Sequence, residues 1–225
     1  DRTSFKLVTD RLENKKPGEK MFLFNVTMQN HGGYTYDGGE FPTVTISNLQ
    51  GHYKEAEQYL SLIKESDKAF EELVRYLKNY DEPTIVVMFG DHQPAVEQEF
   101  YEELYGKSLS KLSTEELQQR YKIPFVIWAN YDIESQDDLK TSPNYLSDLL
   151  LDTANVPKNE IENFTSEVRN DVPQINAMGH YDSDGNWVSR DEDTSNALDE
   201  YEAVEYYMLT RKENKDAKEN KDDKK

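Results

Sequence analysis

Three short segments of strand-forming apolar residues limit the folds open to this chain more than any other feature. They are Lys20–Gln29 (KMFLFNVTMQ), Thr84–Gly90 (TIVVMFG) and Ile123–Asn130 (IPFVIWAN). Each is mostly apolar rather than strictly alternating, which is typical of strands that are covered on both faces. Amphipathic segments separate them. The order predicts an α/β fold, with a largely parallel sheet flanked by helices on both faces.

The longest amphipathic segment, residues 52–80, is predicted to be a helix. Its apolar residues recur at a period of about 3.6 residues, as expected for one buried helical face. They are Ala56, Tyr59, Leu60, Ile63, Phe70, Leu73, Val74 and Leu77.

Three local signals mark the ends and turns of other elements. Ser113 and Glu116 have the spacing of a capping box at the start of a helix. Ser142 followed by Pro143 predicts a second helix start, because proline is favoured at the first helical position. The pair Asp184-Gly185 predicts a turn.

The domain organisation is predicted to be simple, with one domain in residues 1–209 and a charged tail in residues 210–225. The tail (TRKENKDAKENKDDKK) has one alanine and no larger apolar residue. It cannot bury a core, so we predict that it is disordered. The sequence begins at Asp1 rather than at a methionine, so we expect further residues upstream, including any membrane anchor.

Charge and cysteine content exclude several classes of function. The formal net charge of -19 argues against nucleic acid as a partner, because phosphate backbones are bound by basic surfaces. The chain has no cysteine, which excludes a disulfide framework, a zinc–thiolate site and a cysteine nucleophile within it. An anionic substrate would need a local positive charge, such as a metal ion.

Polar side chains follow two of the predicted strands. Asn30 and His31 come after the first strand, and Asp91 and His92 come after Gly90 at the end of the second. Ligands of parallel sheets bind at the carboxyl ends of the strands, and glycine permits the sharp turn that would aim both side chains at one point. A carboxylate and an imidazole make half of a divalent-cation site, suited to manganese or zinc.

Simpler interpretations of the same residues stay open at this point. Asp91 has the position of an N-cap for the segment that follows it, and His31 would then be an ordinary hydrogen-bonded loop histidine. His52 and His180 have no supporting context, and we assign them no role.

The order of these segments resembles the C-terminal half of the sulfatase-like branch of the alkaline phosphatase superfamily. Within it, the chain is most similar to lipoteichoic acid synthase and related membrane-anchored phosphoglycerol transferases of Gram-positive bacteria. The similar stretches cover roughly residues 15–190 and are FLFNVTMQNHGGY, ESDKAFEELVRYL, TIVVMFGDHQP, IPFVIWAN and SPNYLSDLLLDTANVP.

The resemblance implies a role for three residues. Asp91 and His92 match two metal ligands of the family's GDH motif, and His31 matches the histidine of its NH motif, which contacts the phosphate-bearing substrate. In the family the threonine or serine nucleophile and a further acidic ligand come from the N-terminal half, and nothing here resembles them. We therefore expect no catalytic nucleophile in this chain and no activity of the chain alone.

The resemblance also implies a cofactor, partners and a location. Manganese is the expected ion, ahead of zinc and calcium, because calcium prefers oxygen ligands and position 92 carries an imidazole. The expected partners are the N-terminal half of the catalytic domain and a glycerophospholipid or other polyanionic envelope substrate. The expected location is the extracellular face of a bacterial membrane.

Three alternatives to a phosphoglycerol transferase stay open from the sequence. The first is a sulfatase or a phosphonate or phosphodiester hydrolase of the same superfamily. The second is a surface-binding module that keeps the fold without the chemistry. The third is an acidic α/β domain with no site.

Overall fold

Residues 1–131 and residues 132–225 form two separate units of the chain. A computed structural model describes residues 1–35, 43–194 and 198–210. The predicted tail, residues 210–225, lies outside the described residues except for its first position.

The first unit contains helices α1 to α4 and a pair of strands. The α-helices are α1 (Arg2–Glu13), α2 (Lys54–Leu77), α3 (Gln98–Tyr105) and α4 (Thr114–Gln118), and the strands are β1 (Ile85–Phe89) and β2 (Phe125–Ala129). Short 3-10 turns occur at Leu109–Lys111 and Gln119–Tyr121. The predicted capping box at the start of α4 is confirmed: Ser113 accepts from the Glu116 backbone N–H, and Glu116 accepts from that of Ser113.

The second unit contains α5 (Leu146–Thr153), α6 (Glu160–Asp171), β3 (Gln174–Asn176), β4 (Gly179–Tyr181) and β5 (Trp187–Ser189). A 3-10 turn spans Pro143–Tyr145, and residues 198–210 are helical. The turn predicted at residues 184–185 joins β4 to β5, which pair antiparallel. Among the described helices, none combines the length and the apolar character that a membrane span requires.

The strand pairing differs from the predicted parallel sheet. Strand β1 pairs antiparallel with β2, from Ile85 opposite Ala129 to Phe89 opposite Phe125. Strands β3, β4 and β5 form a second antiparallel sheet. The prediction of a largely parallel sheet is therefore not met within the described residues, because the segment expected to lie parallel to β1 pairs with no strand.

That segment is Lys20–Gln29, which we predicted to be a buried strand. The prediction is wrong for this chain: residues 20–28 form no helix or strand. Phe22 is 83% exposed and Phe24 is 72% exposed. The apolar pattern marks a segment suited to burial. Burial in a sheet requires neighbouring strands, and none of the described strands pairs with this segment.

Helix α2 is confirmed, but its buried face is not the apolar stripe alone. Ile63 is exposed, whereas Glu57 and Ser61 are buried. The Glu57 carboxylate accepts hydrogen bonds from the backbone N–H of Ile46 at 2.9 Å and of Gly51 at 3.0 Å. The first half of α2 therefore uses the buried carboxylate of Glu57 to hold the loop of residues 46–51 through its backbone N–H groups.

A buried ion cluster joins the two helices of the second unit. Asp148 on α5 is completely buried and contacts Lys158 and the Ser166 hydroxyl. Its second oxygen lies 2.8 Å from Nε of Arg169 on α6. Lys158 and Arg169 also pair with the more exposed Asp152. The cluster links α5 and α6 with charges that are largely removed from water.

Candidate metal-binding loop

The loop after β1 begins at Gly90 and carries the predicted metal ligands Asp91 and His92. The Gly90 backbone N–H donates to the Pro124 carbonyl at 3.3 Å. Gly90 has no positive φ, and an added Cβ would meet Ile123 at an ordinary contact distance of 3.6 Å. The conformational freedom by which glycine would permit a sharp turn is therefore not used at Gly90.

Asp91 is not the N-cap of the next helix. Helix α3 begins at Gln98 with Glu97 at the N-cap position, six residues further along the chain. The Asp91 Oδ1 instead accepts from the backbone N–H of His92 at 2.9 Å. The Asp91 side chain is 83% exposed and that of His92 is 69% exposed, so both side chains can reach a ligand from solvent.

The imidazole of His92 is held in one orientation. Its Nδ1 lies 2.8 Å from the carbonyl oxygen of Gln93. A carbonyl oxygen only accepts hydrogen bonds, so in the neutral ring Nδ1 carries the proton and Nε2 carries the free lone pair. Metal-binding histidines use the same arrangement, in which one ring nitrogen donates to a backbone carbonyl and the other binds the ion.

The two side chains fit a shared divalent cation. Nε2 of His92 lies 3.5 Å from Oδ2 of Asp91. Two ligands of a tetrahedral zinc ion, each at about 2.0–2.1 Å with an angle of about 109° between them, lie about 3.3 Å apart. The free lone pair of His92 and the carboxylate oxygen therefore already have the spacing of neighbouring ligands.

The described residues supply only these two ligands. Within residues 1–35, 43–194 and 198–210, no three His, Cys, Asp or Glu side chains converge in a metal-binding arrangement. Structural and catalytic sites hold their ions with three or four protein ligands. A metal site at Asp91 and His92 would therefore need at least one further ligand.

The loop that carries His31 is fastened to helix α2. The Asn30 side-chain amide donates to the Ser66 hydroxyl at 2.8 Å. The Gln29 amide donates to the Leu62 carbonyl and to the same hydroxyl, each at 3.2 Å. His31 itself is exposed.

Tyr34 anchors the His31 loop against helix α2, where its ring lies 5.5 Å from that of Tyr59. It is buried and its hydroxyl donates to the Asn30 carbonyl at 2.6 Å. Burial raises the pKa of Tyr34, and the charges of Tyr101 and Asp91 raise that pKa further. The phenol thus stays protonated at neutral pH and continues to donate. In the part of the chain that the structure describes, no hydrogen bond or ion pair joins His31 directly to Asp91 or His92.

Further anchors of the Asp91 loop were not predicted from the sequence. The Gln93 amide donates to the carbonyl oxygens of Gln119 at 2.9 Å and Lys122 at 3.0 Å. The hydroxyl of Tyr101 on α3 donates to the Pro94 carbonyl at 2.6 Å. These contacts fasten the loop to the segment before β2 and to helix α3.

A carboxylate at the end of the same loop caps helix α2. Glu97 accepts from the backbone N–H of Glu55 at 2.8 Å and of Ala56 at 3.0 Å. The first N–H groups of a helix have no partners within the helix, and a carboxylate there is favourable. Glu97 lies just before α3, where an acid ordinarily suggests a cap for that helix, so no local pattern would have revealed its contact with α2.

Comparisons with known proteins agree with the resemblance seen in the sequence. The sulfatase family model matches residues 1–156. A putative cyclic beta-1,2-glucan modification protein of Rhizobium meliloti (strain 1021) is 25% identical over 206 residues, covering 88% of this chain and 27% of that protein.

A solved structure shows the same fold over most of the chain. It is the Streptococcus pyogenes phosphoglycerol transferase GacH in complex with sn-glycerol-1-phosphate, with a TM-score of 0.58 and 20% sequence identity. The match covers 77% of this chain and 42% of GacH. The chain thus spans about a quarter of the curated relative and less than half of the solved one.

Proposed function

The chain belongs to the sulfatase family, and we propose that it is part of the catalytic domain of a metal-dependent phosphoglycerol transferase of the cell envelope. The observation that carries the proposal is the pairing of Asp91 with His92. Their facing atoms have the spacing of two ligands of one ion, and the Gln93 carbonyl leaves Nε2 of His92 free to bind it. The remaining ligands and the nucleophile would come from the N-terminal half of the domain.

The donor set favours manganese, then zinc, over calcium. An imidazole nitrogen beside a carboxylate suits manganese or zinc, whereas calcium prefers oxygen ligands alone. When bound, the cation would neutralise charge on the phosphoryl oxygens and lower the pKa of a coordinated hydroxyl. Asp91 and His92 would hold it, and Gln93 would keep the His92 ring in place.

The proposed substrate is a glycerophospholipid, and the proposed location is the outer face of a bacterial membrane. A hydroxyl from the N-terminal half would attack phosphorus, and the bond between phosphorus and the lipid oxygen would break. His31, exposed on a loop fastened to α2, would donate a hydrogen bond to the phosphate or a proton to the leaving oxygen. The phosphoglycerol group would then pass from the enzyme to an alcohol acceptor.

A substrate panel tests this proposal on the complete catalytic domain loaded with manganese. We expect release of diacylglycerol from vesicles containing a lipid with a phosphoglycerol head group, and no measurable cleavage of an aryl sulfate. The same panel with His31→Ala is expected to lose lipid cleavage by about 100-fold, in line with the loss of one general acid. Cleavage of the sulfate ester with no action on the lipid would replace the proposal with a sulfatase.

The exposed segment of residues 20–28 supports the proposed N-terminal partner. Phe22 and Phe24 expose large apolar surfaces, and no backbone group of residues 20–27 forms a hydrogen bond among the described residues. A row of unpaired backbone N–H and C=O groups is a template for pairing with another strand. We propose that this segment is a strand of a sheet that the N-terminal half completes.

Hydrogen exchange followed by mass spectrometry tests the missing sheet. In the isolated chain we expect residues 20–28 to exchange without protection, because their N–H groups have no partners. In the complete domain we expect the same amides to be strongly protected, since strand pairing would satisfy them. Strand β1 serves as the internal control, with protection in both proteins. Equal, fast exchange of residues 20–28 in both would contradict the proposed partner.

A further inference from the structure

Arg120 is fixed by packing and not by a carboxylate. Its Cζ lies 4.5 Å from the centre of the Tyr101 ring, and Tyr101 is buried. Of the six arginines in the described ranges, Arg2, Arg75, Arg169 and Arg190 each pair with an acidic side chain, whereas Arg11 and Arg120 do not. Arg120 has no ion pair within residues 1–35, 43–194 and 198–210, although the chain has 45 acidic and 26 basic residues.

The backbone on either side of Arg120 is tied to the Asp91–His92 loop. The Gln93 amide donates to the carbonyl oxygens of Gln119 and Lys122, which flank Arg120. Tyr101, on which Arg120 stacks, donates to the carbonyl of Pro94 in the same loop. Two independent contacts therefore join Arg120 to the loop that follows His92.

The geometry leaves the guanidinium group oriented but available. Stacking on an aromatic ring fixes the plane of the group while its N–H donors point outward from the ring edge. Arg120 is partly exposed. A planar set of donors that is held in place and lacks a carboxylate partner suits an oxyanion, which it binds through two parallel hydrogen bonds.

We propose that Arg120 binds an anionic oxygen of the substrate group presented at the Asp91–His92 loop, with Tyr101 fixing the guanidinium plane. The ligand class is a phosphate or sulfate monoester or diester. This inference rests on the proposed function for the location of the substrate. It adds a cationic binding residue that neither the sequence patterns nor the resemblance indicated.

The test is an NMR titration of the 225-residue chain with sn-glycerol-1-phosphate, inorganic phosphate and inorganic sulfate. The arginine Nε–H resonances report directly on the guanidinium groups. Arg120→Met keeps an unbranched apolar side chain against Tyr101 but removes the charge. Lys122→Met is the matched control, because it removes one positive charge from the same segment, where Lys122 is exposed. Unchanged backbone amide spectra show that each variant is folded.

We expect the Arg120 Nε–H resonance to shift saturably with the esters. Arg120→Met should weaken binding of sn-glycerol-1-phosphate by about tenfold, the effect of a charge-assisted hydrogen bond, and Lys122→Met by less than about twofold. Absence of saturable binding to the unmodified chain, equal affinity of Arg120→Met, or an equal loss in Lys122→Met would each overturn the inference.

Zinc titration of the complete catalytic domain, unmodified and with Arg120→Met, separates this inference from the proposed function. Arg120→Met should bind zinc like the unmodified domain, because Arg120 is not a metal ligand. Normal zinc binding together with unchanged ester affinity in Arg120→Met would overturn the Arg120 inference alone. Ester binding that depends on Arg120, in a complete domain that binds no metal, would overturn the proposed metal site and leave the anion-binding role of Arg120 standing.

Discussion

Replacing Asp91 by alanine is expected to lower turnover of the complete catalytic domain by about a thousandfold. A bound cation supplies several kcal/mol of transition-state stabilisation, and each 1.4 kcal/mol is about tenfold in rate. The loss should come without unfolding, because the Asp91 side chain is 83% exposed and its described contacts are with His92. The measurement is kcat/KM for lipid cleavage at saturating manganese.

Asp67→Ala is the matched control for Asp91→Ala. Asp67 lies on α2, is exposed, and belongs to the same unit of the chain. The Asp67→Ala substitution should leave both kcat/KM and thermal stability unchanged. Activity of Asp91→Ala within a few-fold of the unmodified enzyme would remove Asp91 from the metal site.

Asp148→Ala is expected to lower the free energy of unfolding of residues 132–225 by about 3 kcal/mol. Asp148 is fully buried, and Lys158, only 9% exposed at its side chain, would keep its charge with one partner fewer. Removing one member of a buried ion pair leaves an uncompensated charge and costs about 3–5 kcal/mol. The lower value applies because Asp152 still pairs with Lys158 and Arg169.

Urea unfolding with tryptophan fluorescence isolates this effect. The chain has two tryptophans, Trp128 on β2 and Trp187 on β5, one in each unit. In a Trp128→Phe background, Trp187 reports on the second unit alone. Asp152→Ala is the control: its carboxylate is 48% exposed, so its loss should cost less than about 1 kcal/mol. If Asp148→Ala and Asp152→Ala lowered the free energy of unfolding equally, the burial of Asp148 would make no additional contribution to stability.

The elements that the sequence predicted well are those whose stability depends on local pattern. Helix α2 followed from its period, the start of α4 from the capping box, and the turn between β4 and β5 from its Asp-Gly pair. The prediction of a buried strand at Lys20–Gln29 was wrong because an apolar segment indicates a tendency to be buried but does not indicate which strand would cover it. Pairing is a property of the neighbours, and a local pattern holds no information about them.

In the candidate site, too, residues that are adjacent in sequence were predictable, whereas contacts between residues far apart in sequence were not. Asp91 and His92 are adjacent in sequence, so their combination was visible in the motif. Gln93 reaches a carbonyl 26 residues away, and Glu97 caps a helix 42 residues away. Arg120 becomes notable only when its contact with Tyr101 is known. Side chains that support a site through long-range contacts carry no spacing that a sequence pattern would detect.

Calorimetric titration of manganese into the complete catalytic domain, beside its Asp91→Ala variant, tests the central claim most directly. Zinc and calcium titrations under the same conditions establish the ion preference. The account predicts saturable binding of one manganese ion per domain, weaker binding of calcium, and loss of manganese binding by at least about 100-fold in Asp91→Ala, more than removal of a supporting residue costs. Manganese binding of equal affinity in the two proteins, or none in either, would contradict the assignment of Asp91 and His92 as metal ligands.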